Sequence, residues 1–143
     1  MAEEEKPLSD GSLRDLTIKN FTITDEFISV PKGLPCPDLA KKLMEVPKGV
    51  IFAMDKKGTP VGAVTAREFL ISTMESKDLL IMTAEDIMNT NIMEIGMNDP
   101  ISDVIHRITK FAPYAIVVKD EGGEFCGYFS PNDYREALKR LGL

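Results

Sequence analysis

The sequence has few of the residues that build metal sites and catalytic centres. It contains two cysteines, Cys36 and Cys126, which are far apart and form no C-x-x-C pattern, and one histidine, His106. Neither cysteine has the histidine and carboxylate neighbours of a zinc site. No nucleophile is visibly paired with His106, which we expect on a solvated helix surface. We therefore predict no metal site, no catalytic cofactor and no enzymatic activity.

Positive charge and long apolar runs are also scarce. The 143 residues carry a formal net charge of -6, whereas proteins that hold nucleic acid through its phosphates usually present a basic face. No apolar run approaches the roughly 18 residues of a membrane span, and the acidic start "MAEEEKPLSDGS" does not resemble a secretion signal. The sequence argues against nucleic-acid and membrane partners. It predicts a cytoplasmic protein in which residues 1–14 form a flexible acidic tail.

What the sequence does contain is an internal duplication. A shift of 65 positions (127 minus 62) aligns two stretches without a gap and superposes Pro35 on Pro100, Asp38 on Asp103, Ile51 on Ile116, Asp55 on Asp120, Gly58 on Gly123 and Gly62 on Gly127. A self-similarity of this length indicates two copies of one supersecondary unit rather than a solenoid. We predict a first repeat over residues 15–80 and a second over residues 81–143.

Each copy alternates strand and helix patterns. Short apolar strands, "FISV" and "IMEI", precede the amphipathic helices "PDLAKKLMEV" and "PISDVIHRITKF". The apolar runs "VIFAMD" and "AIVVKD" are typical of buried strands, and Gly-containing turns lead to the short antiparallel strands "PVGAV" and "FCGYF". The helices "AREFLISTM" and "PNDYREALKRL" end the copies.

The predicted fold class is α/β (α+β), with two tandem β-α-β-β-α repeats. A three-stranded sheet with both helices on one face leaves its other face uncovered. We therefore expect the two sheets to pack against each other with pseudo-two-fold symmetry.

The run "AIVVKDEGGEFCGYFSPNDY" and the lead-in "AEDIMNTNIMEI" are similar to the motifs of a cystathionine-β-synthase (CBS) domain. Over roughly residues 20–141 the tandem arrangement resembles a CBS pair, or Bateman module, here without an attached enzyme or channel. The resemblance implies a regulatory, energy-sensing module that binds AMP, ADP, ATP or S-adenosylmethionine. It also implies a homodimer, a flat disc of four domains, that signals to an unidentified protein partner.

Two strand-to-helix corners carry a hydroxyl and a carboxylate three residues apart. We name them the Ser130 corner (Ser130 to Asp133, "SPND") and the Thr65 corner (Thr65 to Glu68, "TARE"). One interpretation is a capping box, which needs no ligand. The other is a ligand site, because a helix N-terminus attracts anions and a carboxylate can accept both hydroxyls of a ribose. Both interpretations stay open.

The resemblance assigns the ribose to the carboxylate of this motif, which Asp133 matches and the longer Glu68 does not. It implies a main site at the Ser130 corner comprising Asp133, Ser130, Asn132, Gly127, Tyr114, Ala115, Ile116, Thr22, Ile23 and Ile28. A second, weaker or empty site comprises Thr65, Arg67, Glu68, Gly49, Val50, Met88, Thr90 and Met93. Which lead-in serves which corner stays open. Gly127 is expected to let its strand approach a ligand closely.

Fixed cations for phosphates are scarce near these residues. Family members that bind multiply charged nucleotides commonly carry His or Arg where this chain has Tyr114 and Ala115. The remaining candidates, Arg67, Lys48, Arg135 and Lys139, are more typical of solvated surface charges. We therefore expect AMP, adenosine or S-adenosylmethionine rather than ATP. The alternative function is a ligand-free protein-protein assembly module.

Overall fold

The computed structural model describes residues 16–46 and 49–142; the predicted tail and Lys48 lie outside these ranges. The first repeat contains β1 (Phe27–Pro31), α1 (Cys36–Leu43), β2 (Val50–Met54), β3 (Pro60–Val64) and α2 (Ala66–Met74). The second contains a short helix α3 (Ala84–Ile87), then β4 (Ile92–Gly96), α4 (Ile101–Phe111), β5 (Ala115–Lys119), β6 (Phe125–Tyr128) and α5 (Pro131–Arg140). Short 3-10 turns at Ile18–Asn20 and Leu79–Ile81 precede the two repeats' lead-in segments.

Each repeat forms its own three-stranded sheet, with the strand order β1-β2-β3 or β4-β5-β6. The first two strands of each sheet are parallel, and the third is antiparallel to the second. A short turn is enough to join the last two strands of each sheet, because these strands are antiparallel. The predicted fold class is confirmed.

The turns between the last two strands are matched in detail. The Asp55 carboxylate accepts backbone N–H bonds from Lys57 and Thr59 at 2.9 Å. Asp120 does the same in the second repeat. Gly58 and Gly123 share a φ of +83°, a left-handed conformation that glycine adopts without steric penalty. The two repeats therefore use the same turn, with the same length, between their last two strands.

The two sheets face each other across an aromatic core. Phe27 and Phe52 of the first sheet meet Phe125 of the second at ring-centroid distances of 5.4 and 5.7 Å, and Phe52 also meets Tyr128 at 5.4 Å. All of these pairs are edge-on, the arrangement that aromatic quadrupoles favour. Val50, Ala63, Ala115 and Val117 complete this buried layer. The expected sheet-to-sheet packing is confirmed.

The helices cover the outer faces of the sheets, and three residues of the apolar stripes that the sequence predicts are exposed, Ala40 among them. The predicted stripes are Leu39, Ala40, Leu43 and Met44 on the first helix, and Ile101, Val104, Ile105, Ile108 and Phe111 on the equivalent helix of the second repeat. Leu39, Ile101 and Val104 are fully buried as expected. Met44 lies beyond the end of α1 and is 79% exposed, and Phe111 is 58% exposed at the last turn of α4. Both residues stand where the helix leaves its sheet, so no core lies beneath them. His106 is exposed on α4.

The segment before each repeat crosses to the other repeat. The carbonyl of Ile23 accepts the N–H of Tyr128 at 2.7 Å. In the opposite direction, Asn89 and Ala63 exchange two backbone hydrogen bonds of 2.9 Å. Each lead-in therefore adds to the last strand of its neighbour, next to the corner that follows that strand. None of the helices in residues 16–46 and 49–142 has the length and apolar character needed to cross a membrane.

Candidate functional site

The Ser130 corner is a complete capping box. The Ser130 hydroxyl accepts the N–H of Asp133 at 3.1 Å, and the Asp133 carboxylate accepts the N–H of Ser130 at 2.9 Å. The Ser130 hydroxyl also lies 3.1 Å from the same carboxylate oxygen, Oδ2. Pro131 occupies the first helical position, where a missing N–H is tolerated. The capping interpretation is confirmed for this corner.

Capping uses only half of the Asp133 carboxylate. Both Ser130 donors bond to Oδ2, and among the described residues no hydrogen bond reaches Oδ1. The side chain is 9% exposed. Burial raises the pKa of Asp133 above its ordinary value, the Asp25 and Glu26 carboxylates add to the rise, and the Ser130 hydrogen bonds oppose it. Oδ1 of Asp133 is thus a hydrogen-bond acceptor to which no described group of the protein donates.

Glu26 of the first repeat's lead-in reaches this corner, which the sequence reading missed. Its carboxylate accepts from the Asn132 side-chain amide at 2.9 Å and lies 3.3 Å from the Ser130 hydroxyl oxygen. Glu26 has a φ of +66°, a conformation that costs a non-glycine residue about 1 kcal/mol. Such strain marks candidate functional positions. No local pattern in "TDEF" announces the contact, because it joins residues 106 positions apart.

A cleft of about 170 Å³ opens beside the corner. Its walls are mostly apolar and aromatic and comprise Ile108, Pro113, Tyr114, Ala115, Ile116, Tyr128, Phe129, Ser130, Pro131 and Tyr134. Burial raises the pKa of Tyr128 to about 12, so its hydroxyl keeps its proton at neutral pH. Ligand pockets usually measure about 300–1,000 Å³. The cleft can therefore admit a flat base, but a whole nucleotide requires neighbouring side chains to move.

The Thr65 corner repeats the capping box with a longer carboxylate. Glu68 Oε1 accepts the N–H of Thr65 at 2.7 Å, and the Thr65 hydroxyl lies 3.0 Å from the same oxygen. Glu68 is 4% exposed. The Tyr114 hydroxyl of the second repeat approaches as well, donating to Glu68 Oε1 at 3.0 Å and lying 2.8 Å from the Thr65 hydroxyl. This corner therefore receives a hydroxyl from the other repeat.

The strand starts connect to the corners in a different way from the prediction. The Tyr114 ring lines the cleft at the Ser130 corner, but its hydroxyl belongs to the Thr65 corner. Gly49 and Val50 were expected at the Thr65 corner. The structure places Gly49 against the backbone of Glu26 and bonds the Val50 N–H to the Glu26 carbonyl at 3.0 Å. Each strand start is therefore linked to the corner of the other repeat, Tyr114 directly and Val50 through Glu26.

Two predicted site residues belong to the cores instead. Ile28 pairs with Ile51 and packs into the helix-side core of the first repeat. Met93 pairs with Ile116 and packs into the equivalent core of the second repeat. Their side chains follow the period-2 alternation of a strand and point away from the facing sheets.

Gly127 has a different neighbour from the one expected. A Cβ at this position would lie 2.5 Å from the Ile23 carbonyl oxygen and 2.8 Å from two side-chain carbons of Ile23. The close approach that requires glycine is therefore made by the first lead-in. At the matched position Gly62, a Cβ would meet the side chain of Met88. The structure thus brings Ile23 to the Ser130 corner and Met88 to the Thr65 corner.

The other predicted residues lie at the edges of these corners. Thr22, Thr90, Arg67 and Asn132 are exposed, and the Arg67 N–H donates to the Thr65 hydroxyl at 3.2 Å. Arg135 donates to the Asn132 side chain, and Lys139 is exposed on the same helix. In residues 16–46 and 49–142, no cluster of three His, Cys, Asp or Glu side chains is placed to hold a metal ion.

Fold and corner geometry together define a class: a tandem pair of β-α-β-β-α units that exchange their lead-in segments. Residues 84–140 match the family model of the CBS domain. The match lies within the second repeat, and the first repeat has the same order of strands and helices. No curated protein matches the sequence.

Solved structures share this fold at low sequence identity. A CBS domain protein from Pyrobaculum aerophilum, complexed with AMP, is similar at 21% identity and a TM-score of 0.72, covering 89% of this chain and 98% of that one. A CBS domain pair in complex with 5'-methylthioadenosine and S-adenosyl-L-methionine gives 18% identity and a TM-score of 0.70, covering 87% and 96%.

The cytosolic domain of the Mg²⁺ channel MgtE, in complex with ATP, gives 20% identity and a TM-score of 0.63. Here the match covers 81% of this chain but 46% of that one. At these identities the likeness establishes the fold, and the ligand of this chain has to be argued from its own residues.

Proposed function

We propose that this protein is a non-catalytic sensor that binds an adenosine-containing molecule at the Ser130 corner. The observation that carries the proposal is the buried Asp133 carboxylate, whose Oδ1 has no partner among the described residues, beside a cleft of aromatic and apolar walls. The base would stack in the cleft, and a ribose hydroxyl would donate to Oδ1. The complexes of related folds with AMP and S-adenosyl-L-methionine support this ligand class.

Glu26 supplies a route from ligand to signal. It links the first repeat's lead-in to Ser130 and Asn132 of the second repeat. Ser130 lines the cleft, so a ligand that reaches it would compete with Glu26 for Ser130 and Asn132, and the bonds between the repeats would change. Ligand binding counts as regulation only because it favours one arrangement over the other. A partner protein that binds one arrangement of the repeats more tightly than the other would respond to the ligand.

The local charge favours a weakly anionic or cationic ligand. The Asp25 and Glu26 carboxylates both act on Asp133 through their charge, and the same field repels phosphates. Glu26→Gln keeps the shape and removes the charge. We expect the variant to bind ATP about fivefold more tightly, from about 1 kcal/mol of relieved repulsion, with little change for adenosine. Glu85→Gln, at the far end of the first sheet, is the matched control.

The deciding experiment is a thermal-shift titration with AMP, ADP, ATP, adenosine and S-adenosylmethionine on the parent and Asp133→Ala proteins. A ligand at 100 times its dissociation constant stabilises the native state by about 2.7 kcal/mol, which amounts to several degrees in a domain of this size. A shift that one ligand produces and the variant loses supports the sensor. If no ligand shifts the folded parent protein, the proposal fails.

The second candidate function is a ligand-free assembly module, and exposed apolar side chains favour it. Large apolar residues are more than half exposed around the outer helices and after α2: Met44, Leu70, Met74, Leu80, Ile81 and Phe111. The same surface suits the proposed homodimer of four domains.

In sedimentation equilibrium, Leu70→Glu with Met74→Glu should convert a dimer into monomer. A dimer that ligands neither stabilise nor change would favour assembly alone. Residence in the cytoplasm stays a prediction.

A further inference from the structure

The Thr65 corner already holds a hydroxyl from the protein itself. The Tyr114 hydroxyl, carried by the second repeat, donates to Glu68 Oε1 at 3.0 Å and lies 2.8 Å from the Thr65 hydroxyl. Glu68 is 4% exposed, so the bond lies largely out of water. Burial raises the pKa of Tyr114 above its ordinary value of 10.0, and the hydroxyl is protonated at neutral pH at either value.

This contact has the same chemistry as the one proposed for a ligand ribose at Asp133, a hydroxyl donating to a capping carboxylate. We propose that Tyr114 is a built-in occupant that closes the Thr65 corner, so that the chain binds one adenosine-type ligand at the Ser130 corner and none at its pseudo-symmetric partner. The inference rests on the proposed function of the Ser130 corner and adds its stoichiometry.

The asymmetry follows from which kind of group reaches each corner. The shift of 65 positions aligns Tyr114 with Gly49, and glycine has no side chain to donate a hydrogen bond. The group that reaches the Ser130 corner is the Glu26 carboxylate, which only accepts. It cannot donate to Asp133. The described part of the opposite repeat therefore brings no donor to Asp133, whereas Tyr114 brings one to Glu68. Tyr114 donates to Oε1, the oxygen that the cap also uses, and among the described residues no hydrogen bond reaches Oε2. The Tyr114 phenol thus stands at the Thr65 corner where a ribose hydroxyl would donate.

A ligand that displaces the Tyr114 hydroxyl from the Thr65 corner gains little free energy of binding. A ribose hydroxyl would replace the Tyr114 hydroxyl one for one, and the displaced phenol would need a new partner or water. Hydrogen bonds to charged groups are among the stronger ones in proteins, and an exchange leaves their number unchanged. The Tyr114 ring would also have to leave its place between Thr65 and the cleft at the Ser130 corner.

Removing the occupant should open the second site. We expect isothermal titration of the full chain with adenosine, AMP and S-adenosylmethionine to give one site per chain for the parent. Tyr114→Gly, which recreates the Gly49 arrangement, should give two. Because Tyr114 also lines the main cleft, the cleaner comparison uses Asp133→Ala as background. There Tyr114→Gly should restore binding at least tenfold, and adding Glu68→Ala should remove the gain.

The outcomes separate the two proposals. One site in the parent and an unchanged count in a folded Tyr114→Gly protein would overturn the occupant and leave the sensor intact. Two sites in the parent would also overturn the occupant and leave the sensor intact. A parent that binds nothing, with Glu68-dependent binding in Tyr114→Gly, would overturn the sensor and support the occupant. Binding by neither protein would overturn both.

A second variant covers the case in which Tyr114→Gly fails to fold. Tyr114→Ser keeps a polar side chain but is too short to reach Glu68, so it should open the same site. On the parent itself, a tenfold loss of affinity in Glu68→Ala would mean that the Thr65 corner is already part of the binding site. That result would overturn the proposal.

Discussion

Thr65 and Ser130 both cap their helices within capping boxes, yet different side chains reach the two corners from the opposite repeat. Tyr114 brings a donor to Glu68, and Glu26 brings an acceptor to the neighbourhood of Asp133. Both carboxylates are nearly buried, at 4% and 9% exposure. The difference teaches that burial and a matching motif do not by themselves make a site. Among the described residues no hydrogen bond reaches Oδ1 of Asp133 or Oε2 of Glu68. The corners differ because a side chain of the opposite repeat stands as a donor at Glu68 and none of the described side chains does at Asp133.

The largest expected difference between the two corners concerns the glycines of the strands that lead into them. A Cβ on Gly127 would lie 2.5 Å from the Ile23 carbonyl oxygen, whereas the nearest atoms to a Cβ on Gly62 are the Sδ, Cγ and Cβ of Met88, all within 2.8 Å. The Sδ and Cγ of a methionine can move to another rotamer, but a backbone carbonyl cannot. Since overpacking typically costs 1–3 kcal/mol, we expect Gly127→Ala to lower the free energy of unfolding by about 3 kcal/mol and Gly62→Ala by about 1.

Urea unfolding of both variants measures this contrast. Equal losses would mean that the two lead-ins are held equally firmly and would contradict the backbone contact at Gly127. The double variant Gly62→Ala with Met88→Ala serves as a control, because it removes the two closest contacts, with the Met88 Sδ and Cγ, and keeps only the contact of 2.8 Å with the Cβ. It should recover part of the loss.

The next effect tests the ribose role of Asp133. Asp133→Ala should weaken ribose ligands by roughly 1.5 to 3 kcal/mol, the range for hydrogen bonds to charged groups. Ligands with a 2'-deoxyribose should bind the parent more weakly than their ribose counterparts and should lose this disadvantage in the variant. Calorimetry on the four combinations gives the coupling energy. If the parent binds ribose and deoxyribose ligands equally, Asp133 does not hold the diol.

A smaller effect should reveal the bond that distinguishes the Thr65 corner. Tyr114→Phe and Glu68→Gln form a double-mutant cycle in which we expect a coupling of about 1.5 kcal/mol in unfolding, the lower limit for a bond to a charged group. The same cycle between Tyr114 and Asp133 should give about 0.3 kcal/mol or less, the scatter of independent sites. Comparable couplings in both cycles would show that Tyr114 serves the two corners alike.

The sequence predicts the parts of the molecule that local chemistry determines. Buried apolar runs, the turns at Asp55 and Asp120, and both capping boxes lie where their patterns place them. The reach of Glu26 depends on a backbone φ of +66° and on how the repeats pack. The target of the Tyr114 hydroxyl lies 46 residues away along the chain. No period or spacing carries these long-range contacts, so the assignments of Gly49, Val50 and Tyr114 could not be settled from sequence.

The last contrast between the corners lies in their response to pH. Burial raises the pKa of Asp133 above its ordinary value of 3.8, so between that value and the raised one the native state binds more protons than the unfolded chain. Stability must then fall as the pH rises through this window. We expect the free energy of unfolding of the parent, relative to Asp133→Asn, to be greatest near pH 4 and to decrease toward neutral pH. Urea unfolding at several pH values measures this difference and cancels groups that titrate equally in both proteins.

A difference that grows with pH would mean that the Ser130 hydrogen bonds outweigh burial and the charges of Asp25 and Glu26. In that case the ionised carboxylate is already well satisfied by its own corner, and the reason for expecting a ribose at Oδ1 disappears.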